Sequence, residues 1–193
     1  MSSKIAEIVD RSILSGGFFP LVLYKIRHSL FAGGMSRPFS REVLERAPVA
    51  AVLPYDPVRD TVVLLEQFRI GKMVAGAKDP WMIEIVAGII EDGESPEEMA
   101  RREAIEEANC KILALERMPG FYPSAGGCSE YVHMFCGKVD STGIGGVHGL
   151  DDEDEDIRVW VEPLDRGELD NAIAIVALQW LALHRERLRK AWV

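Results

Sequence analysis

The chain has 193 residues, 48% of them hydrophobic and 27% charged, so it can bury a sizeable core and is neither disordered nor fibrous. Its formal net charge of −9 argues against binding to nucleic acid or to an anionic membrane. Three cysteines without CxxC spacing predict neither a disulfide framework nor a zinc knuckle, and they favour the reducing cytoplasm.

Residues 1–47 have the pattern of a small β-rich unit. The apolar stretch over residues 13–31 is interrupted by glycine, proline and basic residues, which argues against a secretion signal or a membrane span. Strands are predicted over residues 19–28 and 41–46, between glycine-marked turns. A unit of this size is too small to be stable alone, so we expect it to pack on the rest of the chain or on a partner subunit.

From residue 49 onward the pattern predicts a larger domain. Residues 49–54 and 61–68 are predicted to form a hairpin, because Asp56, Pro57 and Asp60 supply turn chemistry between them. Next come a predicted loop over 71–80, a strand over 81–86 and a glycine-marked loop over 88–94.

A helix is predicted after this loop, and both of its ends are marked. Ser95 is a suitable N-cap, Pro96 fits the first helical position, and Glu98 completes a capping box. Asn109 marks the C-terminal end, since asparagine tolerates the left-handed conformation. The face that packs on a sheet is predicted to contain Ala100, Ala104, Ile105 and Ala108.

The C-terminal part is predicted to add strands over 131–139 and 157–161 and a helix over 170–189. The apolar face of that helix is predicted to contain Ile173, Val176, Trp180 and Leu181. Strands interleaved with helices predict a mixed sheet covered on both sides, in the α/β or α+β class.

Three glutamates crowd the end of the helix that follows Ser95. Glu103 faces both Glu106 and Glu107, and each such like-charge pair costs roughly 0.2–0.5 kcal/mol. One interpretation is a solvated acidic face. The other is a site for Mg²⁺ or Mn²⁺, which bind carboxylates and leave room for substrate phosphates. The glycine loop before the helix favours the cation site.

Residues 88–110 resemble the Nudix box, G-x5-E-x7-R-E-U-x-E-E-x-G-U, where U is an apolar residue. The matching positions are Gly88, Glu94, Arg102, Glu103, Ala104, Glu106, Glu107 and Cys110. Asn109 replaces the last glycine of the pattern, and it also tolerates the left-handed conformation. Beyond the box, residues 18–185 resemble the bacterial ADP-ribose pyrophosphatase subfamily, through stretches that include "PSAGGCSE", "GVHGLDDEDEDIRV" and "LDNAIAIVALQWL".

The resemblance implies hydrolysis of the pyrophosphate bond of ADP-ribose to AMP and ribose 5-phosphate, with Mg²⁺ or Mn²⁺ as cofactor. It implies a Nudix α/β/α sandwich with a mixed sheet over residues 48–193. The small β unit over residues 1–47 would exchange across a homodimer. The alternatives are a Nudix hydrolase of another nucleoside diphosphate sugar or of a dinucleotide, and a non-catalytic sensor that binds nucleotide.

The resemblance also implies roles for individual residues. The metal ligands would be the Ala87 carbonyl, Glu103, Glu107 and Glu155. Glu153 would be the general base, Arg102 would orient the carboxylates, and Glu106 would support them. Asp152 or Asp154 could replace Glu153 or Glu155, and a solvated loop is the simpler interpretation of this acidic run. Substrate contacts would come from Phe19, Arg27, His28, Arg41, Glu42, Arg46, Arg69, Ile89, Ser124 and Glu130. For any single arginine in this set, ordinary surface charge is the simpler interpretation.

Overall fold

The computed structural model describes residues 4–150, 154–163 and 169–193. The chain divides into two compact units. The first contains Met1–Pro48 together with Tyr122–Tyr131, and the second contains Val49–Phe121 and Val132–Val193. The sequence pattern predicted a first unit of residues 1–47 alone. In the structure, residues 122–131 belong to this unit as well.

The first unit is built on a three-stranded antiparallel sheet. Its strands, in spatial order, are β1 (Ala6–Ser15), β2 (Leu21–His28) and β3 (Phe39–Leu44). The predicted strands correspond to β2 and β3, whereas β1 was not predicted. Register shifts at Val9 and Leu14 explain the omission, because each inserts an extra apolar residue and breaks the period of two.

The second unit holds one mixed sheet and the helices. Its strands are β4 (Val49–Asp56), β5 (Thr61–Phe68), β6 (Trp81–Glu84), β7 (Val86–Ile89), β8 (Ala114–Phe121), β9 (Val132–Lys138), β10 (Gly146–His148) and β11 (Ile157–Pro163). Its helices are α1 (Ile70–Val74), α2 (Pro96–Glu106) and α3 (Ala172–Trp192). The strand order is β10-β11-β5-β4-β9-β8, with β6 paired to β5 and β7 paired to β4. Strands β4 and β9 are parallel and the other pairs are antiparallel, so the predicted mixed sheet is confirmed.

The central strand β4 shows how the helices cover both faces of this sheet. Alternate residues such as Ala51 and Leu53 lie in an apolar cluster with Leu181 of α3. Ala50 and Val52 lie in a second cluster with Met99 and Ala100 of α2. All of β4 is buried, as expected for a strand with a helix on each side. The predicted α/β class is therefore confirmed.

Other predicted elements differ from the structure. The single strand predicted over 81–86 is divided between β6 and β7, because the chain passes from the edge of β5 to the edge of β4. Strand β7 also continues through Gly88 and Ile89, where a loop was predicted. The predicted loop over 71–80 contains most of helix α1, which has no buried residue.

Strand β8 was not predicted, since Pro119 and Gly120 interrupt its pattern. It lies at the edge of the sheet and has a register shift between Met118 and Phe121. An edge strand with a bulge is where proline is tolerated.

Among the helices of the described ranges, none is long and apolar enough to cross a lipid bilayer.

Candidate active site

Helix α2 has the two ends that its sequence predicts. The Ser95 hydroxyl accepts a hydrogen bond from the Glu98 amide at 3.2 Å, and the Glu98 carboxylate accepts one from the Ser95 amide at 2.8 Å. Asn109 has a positive φ of 45°, and its amide donates to the Ile105 carbonyl at 2.9 Å. The capping box and the left-handed terminus are thus confirmed. The left-handed terminus fixes the last turn of α2, which presents the glutamates.

The buried face of α2 is made mostly of alanine. Ala100, Ala104 and Ala108 are completely buried, as predicted. Ile105 is 49% exposed, so the prediction that it shares this face is wrong. One residue corresponds to a rotation of 100° in a helix, which carries Ile105 away from the face centred on Ala104. The small side chains let α2 approach β4 and β7 closely.

Glu107 is a buried carboxylate at the C-cap of α2. It is 2% exposed, and its Oε2 accepts a hydrogen bond from the Ala87 amide of β7 at 3.1 Å. Burial raises the pKa of Glu107 well above its ordinary value, and the charges of Glu103 and Glu155 raise it further. Among the described residues, Glu107 forms no ion pair, so its charge is poorly compensated.

Glu103 lies directly over Gly88 of β7. A Cβ atom at residue 88 would overlap the Glu103 carboxylate, so this approach requires glycine. Burial raises the pKa of Glu103, while the neighbouring Arg102 acts in the opposite direction. A strand residue without a side chain thus makes room for the carboxylate.

Arg102 joins three of the box carboxylates. Its Nη1 donates to Glu103 Oε1 at 2.8 Å and to Glu106 Oε2 at 2.9 Å, and its Nε donates to Glu94 Oε1 at 2.9 Å. Its Nη2 also lies 3.4 Å from the Ile89 carbonyl oxygen. The pair with Glu106 has the i, i+4 spacing that brings two side chains together on a helix. The bond to the adjacent Glu103 was not foreseen, because it depends on the reach of the long arginine side chain.

Glu155 is hydrogen-bonded to the backbone of Leu150. Its amide donates to the Leu150 carbonyl at 3.2 Å, and its Oε2 accepts from the Leu150 amide at 3.3 Å. Gly149 has a φ of 111°, and a Cβ there would lie 2.7 Å from the Cβ of Glu155. Glu155 interacts electrostatically with Glu103 and Glu107. Asp152 and the predicted general base Glu153 lie outside the described residues.

Arg69 is paired with a buried acid that sequence reasoning did not single out. Its Nη2 lies 2.6 Å from Glu84 Oε2. Burial alone would lower the pKa of Arg69, but hydrogen bonding to Glu84 and the charge of Glu84 outweigh burial and raise it. Glu107 and Glu155 also act on Arg69 electrostatically. The signal for Glu84 was present in the sequence, since a lone acid in the apolar strand "WMIEIV" must be paired if it is buried.

In the first unit, the structure brings Phe19, Arg46 and Glu130 together. The guanidinium carbon of Arg46 lies 4.3 Å from the centroid of the Phe19 ring. Arg46 Nε lies 2.9 Å from Glu130 Oε2, but the N–H does not point along that line. This buried oxygen therefore has an ionic partner but accepts no hydrogen bond from the part of the chain that the structure describes.

The other predicted substrate contacts of the first unit are separate from this group. Arg41 and His28 both lie against Phe39. The guanidinium carbon of Arg41 is 4.7 Å from the centroid of the Phe39 ring, and the imidazole centroid of His28 is 5.6 Å from it. Arg27 is paired with Glu7 at 2.6 Å. Glu42 is an exposed residue of β3. The Ser124 carbonyl accepts hydrogen bonds from the amides of residues 127 and 128, so Ser124 forms a turn with the glycines that follow it.

An open cavity of about 490 Å³ lies elsewhere in the second unit. It is lined by Glu66, Lys72, Asp79, Trp81, Ile83, Leu169 and Asp170. Lys72 and Asp170 form an ion pair there at 2.8 Å. The cavity does not enclose the carboxylates of Glu103, Glu106 and Glu107, because none of these residues lines it.

The carboxylates at the end of α2, together with Glu155, have donor atoms that suit a hard divalent cation. Glu103, Glu107 and Glu155 supply oxygen atoms and repel one another, which a cation would relieve. As they stand, no three His, Cys, Asp or Glu side chains in residues 4–150, 154–163 and 169–193 converge closely enough to hold a metal ion. Arg102 turns Glu103 towards itself and the Ala87 amide holds Glu107. A cation held by these side chains would have to draw them together.

Comparison with known proteins gives the same picture over most of the chain. The family model that matches is the NUDIX domain, over residues 45–183. The ADP-ribose pyrophosphatase of Escherichia coli strain K12 is 48% identical over 196 residues, covering 96% of this chain and 92% of that protein. The ADP-ribose pyrophosphatase of Haemophilus influenzae is 40% identical, covering 99% and 92% of the two chains.

More distant relatives have a different substrate in their names. The GDP-mannose pyrophosphatase of Cronobacter sakazakii is 35% identical, covering 92% of this chain and 95% of that protein. A crystal structure of an ADP compounds hydrolase superposes with a TM-score of 0.66 at 18% identity, covering 97% of this chain and 96% of that one. At this identity the superposition shows the fold alone.

Proposed function

This chain belongs to the NUDIX family, and we propose that it hydrolyses the pyrophosphate bond of ADP-ribose to AMP and ribose 5-phosphate. The observation that carries the proposal is the buried Glu107 beside Glu103 at the end of α2, with Arg102 bound to the neighbouring acids. Relatives that match nearly the full chain at 40–48% identity are named ADP-ribose pyrophosphatases, which supports the choice of substrate.

NUDIX hydrolases use a divalent cation, and we propose Mg²⁺ here, with Mn²⁺ as the second choice. The proposed ligands are Glu103, Glu107, Glu155 and the Ala87 carbonyl. When bound, the cation would neutralise charge on the pyrophosphate and lower the pKa of the attacking water. Without such help a protein of net charge −9 would repel the substrate.

The chain supplies the positioning and the proton transfers. Arg102 keeps Glu103 and Glu106 in place through hydrogen bonds of 2.8 and 2.9 Å. We assign the general base to Glu153, which would take a proton as water forms a bond to phosphorus. The bond from that phosphorus to the bridging oxygen then breaks, and the oxygen leaves with the other phosphate. Arg69 would hold a phosphate, since arginine matches phosphate oxygens bidentately.

The group formed by Phe19, Arg46 and Glu130 is the proposed contact for the nucleoside and ribose part of the substrate. An aromatic ring and a guanidinium group at 4.3 Å offer a stacking surface for adenine. The Glu130 oxygen without a hydrogen bond suits a ribose hydroxyl, which can donate one. Proposed roles for Arg27, His28, Arg41, Glu42, Ile89 and Ser124 rest on the family resemblance alone.

We also propose that the protein is a homodimer that exchanges its N-terminal units. Every residue of β1 is exposed, and Ile13, Phe18 and Phe31 are exposed by 59%, 81% and 97%. Exposed apolar side chains in such numbers on one small unit mark an interface. Sedimentation tests this: the wild type should have twice the mass of the 21.5 kDa chain, and Ile13→Asp should be largely monomeric. A monomeric wild type would reject the dimer.

Another nucleoside diphosphate sugar is the second candidate substrate. GDP-mannose is the specific alternative, because relatives with that substrate in their name match at 34–35% identity. A dinucleotide is a further choice, because the box indicates pyrophosphate chemistry and not the second group of the substrate. A non-catalytic sensor is disfavoured, since Glu103, Glu106 and Glu107 are all present.

A substrate panel separates these candidates. We would measure kcat/KM for ADP-ribose, GDP-mannose and a dinucleotide with Mg²⁺, and identify the products by chromatography. The proposal predicts a value for ADP-ribose at least about tenfold above the others, with AMP and ribose 5-phosphate as products. A higher value for GDP-mannose would reassign the substrate, and no hydrolysis of any member would favour the sensor.

A further inference from the structure

Glu84 is the last residue of β6, and its side chain is 8% exposed. Three different side chains donate hydrogen bonds to its carboxylate. Arg69 donates through Nε at 3.1 Å and through Nη2 at 2.6 Å, Gln67 donates through its amide nitrogen at 3.2 Å, and Asn171 donates through its amide nitrogen at 2.9 Å. A buried carboxylate with this many donors is held in one orientation.

Asn171 connects Glu84 to the start of α3. Its Oδ1 accepts a hydrogen bond from the Ala174 amide at 2.9 Å and so caps the helix, while its Nδ2 donates to Glu84. The N-terminal end of this 21-residue helix also adds positive potential near the carboxylate. One side chain thus fixes both the beginning of α3 and the position of Glu84.

The Arg69 guanidinium binds Glu84 with one edge only. Its Nε and Nη2 are directed at Glu84, but its Nη1 makes no hydrogen bond with any described residue, and the side chain is 45% exposed. Arg69 also lies in the electrostatic field of Glu107 and Glu155. The guanidinium is therefore anchored on one edge, with unused N–H groups close to the proposed catalytic carboxylates.

We propose that Glu84 and Asn171 are positioning residues, which hold the Arg69 guanidinium so that its free N–H groups meet a phosphate of the substrate. The inference rests on the proposed function, because it takes Arg69 as a phosphate ligand. An arginine fixed before binding loses less side-chain entropy when the substrate arrives. The effect belongs to substrate binding, so it should appear in KM more than in kcat.

Steady-state kinetics with ADP-ribose and Mg²⁺ test the role of Glu84. In Glu84→Gln an amide NH₂ replaces an oxygen acceptor and faces other donors, so Arg69 loses its anchor. We expect KM to rise about tenfold and kcat to stay within about threefold. If Glu84 acts through Arg69, the double variant with Arg69→Ala should be no worse than Arg69→Ala alone. Additive losses would overturn the proposal.

Asn171→Ser keeps the test valid if Glu84→Gln does not fold. Serine is a good N-cap, so the start of α3 is retained, but the side chain no longer donates an amide hydrogen bond to Glu84. KM should rise while the melting temperature stays close to that of the wild type, and an unchanged KM would overturn the proposal. The matched control is Glu66→Gln, whose carboxylate is paired with Arg158 at 2.6 Å. Its KM should not change.

A second measurement does not depend on turnover. The ¹H–¹⁵N resonance of the Arg69 Nε group can be assigned by its absence in Arg69→Ala. In Glu84→Gln it should move towards the position of solvent-exposed arginines, and an unmoved resonance would overturn the positioning role. If the wild type releases no AMP from ADP-ribose, the proposed function fails, and this resonance still decides the structural claim.

Discussion

The Glu103 carboxylate occupies the space that a side chain at Gly88 would fill. Gly88 belongs to β7 and Glu103 to α2, so the strand and the helix approach each other closely at a proposed metal ligand. The box pattern requires glycine at this position, and the close approach of the Glu103 carboxylate gives a steric reason for that requirement.

Gly88→Ala should displace the Glu103 carboxylate and lower turnover about 100-fold, since small misplacements of reacting groups have effects of this size. Hydrolysis of ADP-ribose at saturating Mg²⁺ measures it. The control is Gly71→Ala, because a Cβ at Gly71 meets nothing within 4 Å. If Gly88→Ala retained wild-type turnover, the steric explanation would be wrong.

Glu107→Gln should stabilise the protein when no divalent cation is present. The pKa of Glu107 is raised in the folded state by burial and by the charge of Glu103. Its favourable contribution is complete below the unfolded pKa, about 4.3, and is lost as the pH rises through the folded value. At pH 7 the charged carboxylate is thus a cost, and its removal should raise the free energy of unfolding by about 1 kcal/mol or more.

Urea denaturation in a chelator between pH 4 and pH 7 measures this difference. The gap between Glu107→Gln and the wild type should widen as the pH rises. Added Mg²⁺ should raise the melting temperature of the wild type and have little effect on the variant. A variant less stable than the wild type at pH 7 without cation would contradict the unfavourable burial of charge at this position.

Asp56 is a structural acid, remote in sequence from the box. It is 1% exposed, and it accepts hydrogen bonds from Arg59 and from both the amide and the hydroxyl of Ser141. Burial alone would raise its pKa, but the hydrogen bonds from Arg59 and Ser141 outweigh burial and lower it. This carboxylate ties the β4–β5 turn to the segment after β9.

Asp56→Ala should lower the free energy of unfolding by about 3 kcal/mol, because it leaves buried donors without an acceptor. The matched control is Asp140→Ala. Asp140 is another ionic partner of Arg59, and the Asp140 side chain is 66% exposed. That change should cost no more than about 0.5 kcal/mol. Equal effects of the two variants in urea denaturation would remove the special role of Asp56.

Much of the second unit follows from its sequence. The β4–β5 hairpin combines buried strands with a turn built on Asp56 and Asp60, and α2 has a signal at each end, so local chemistry and burial agree. Strands β1 and β8 were missed because bulges or proline break their pattern. In α3, Val176 was expected on the buried face but is 37% exposed, and the buried positions are Ala174, Ala177, Leu181 and Leu188. Small residues there outrank larger ones because the helix lies close to the sheet.

In the candidate site, too, local features could be predicted from the sequence and long-range contacts could not. The glutamates of α2 are close in sequence, so helical spacing alone brings Glu103, Glu106 and Glu107 together. Contacts between distant positions were not accessible in this way. Asn171 and Glu84 are 87 residues apart. Gly149 makes room for Glu155 because it has no Cβ and adopts a positive φ, and residue spacing reveals neither contact. The roles of the partners of Arg69 therefore become visible only in three dimensions.

The most direct test is the release of AMP from ADP-ribose by the purified protein, with and without Mg²⁺, beside an equal amount of Glu107→Gln. We expect AMP from the wild type only when Mg²⁺ is present, and none above background from the variant. Folded wild type that releases no AMP with Mg²⁺ would contradict the assignment of ADP-ribose as substrate. Full activity in Glu107→Gln would contradict the site.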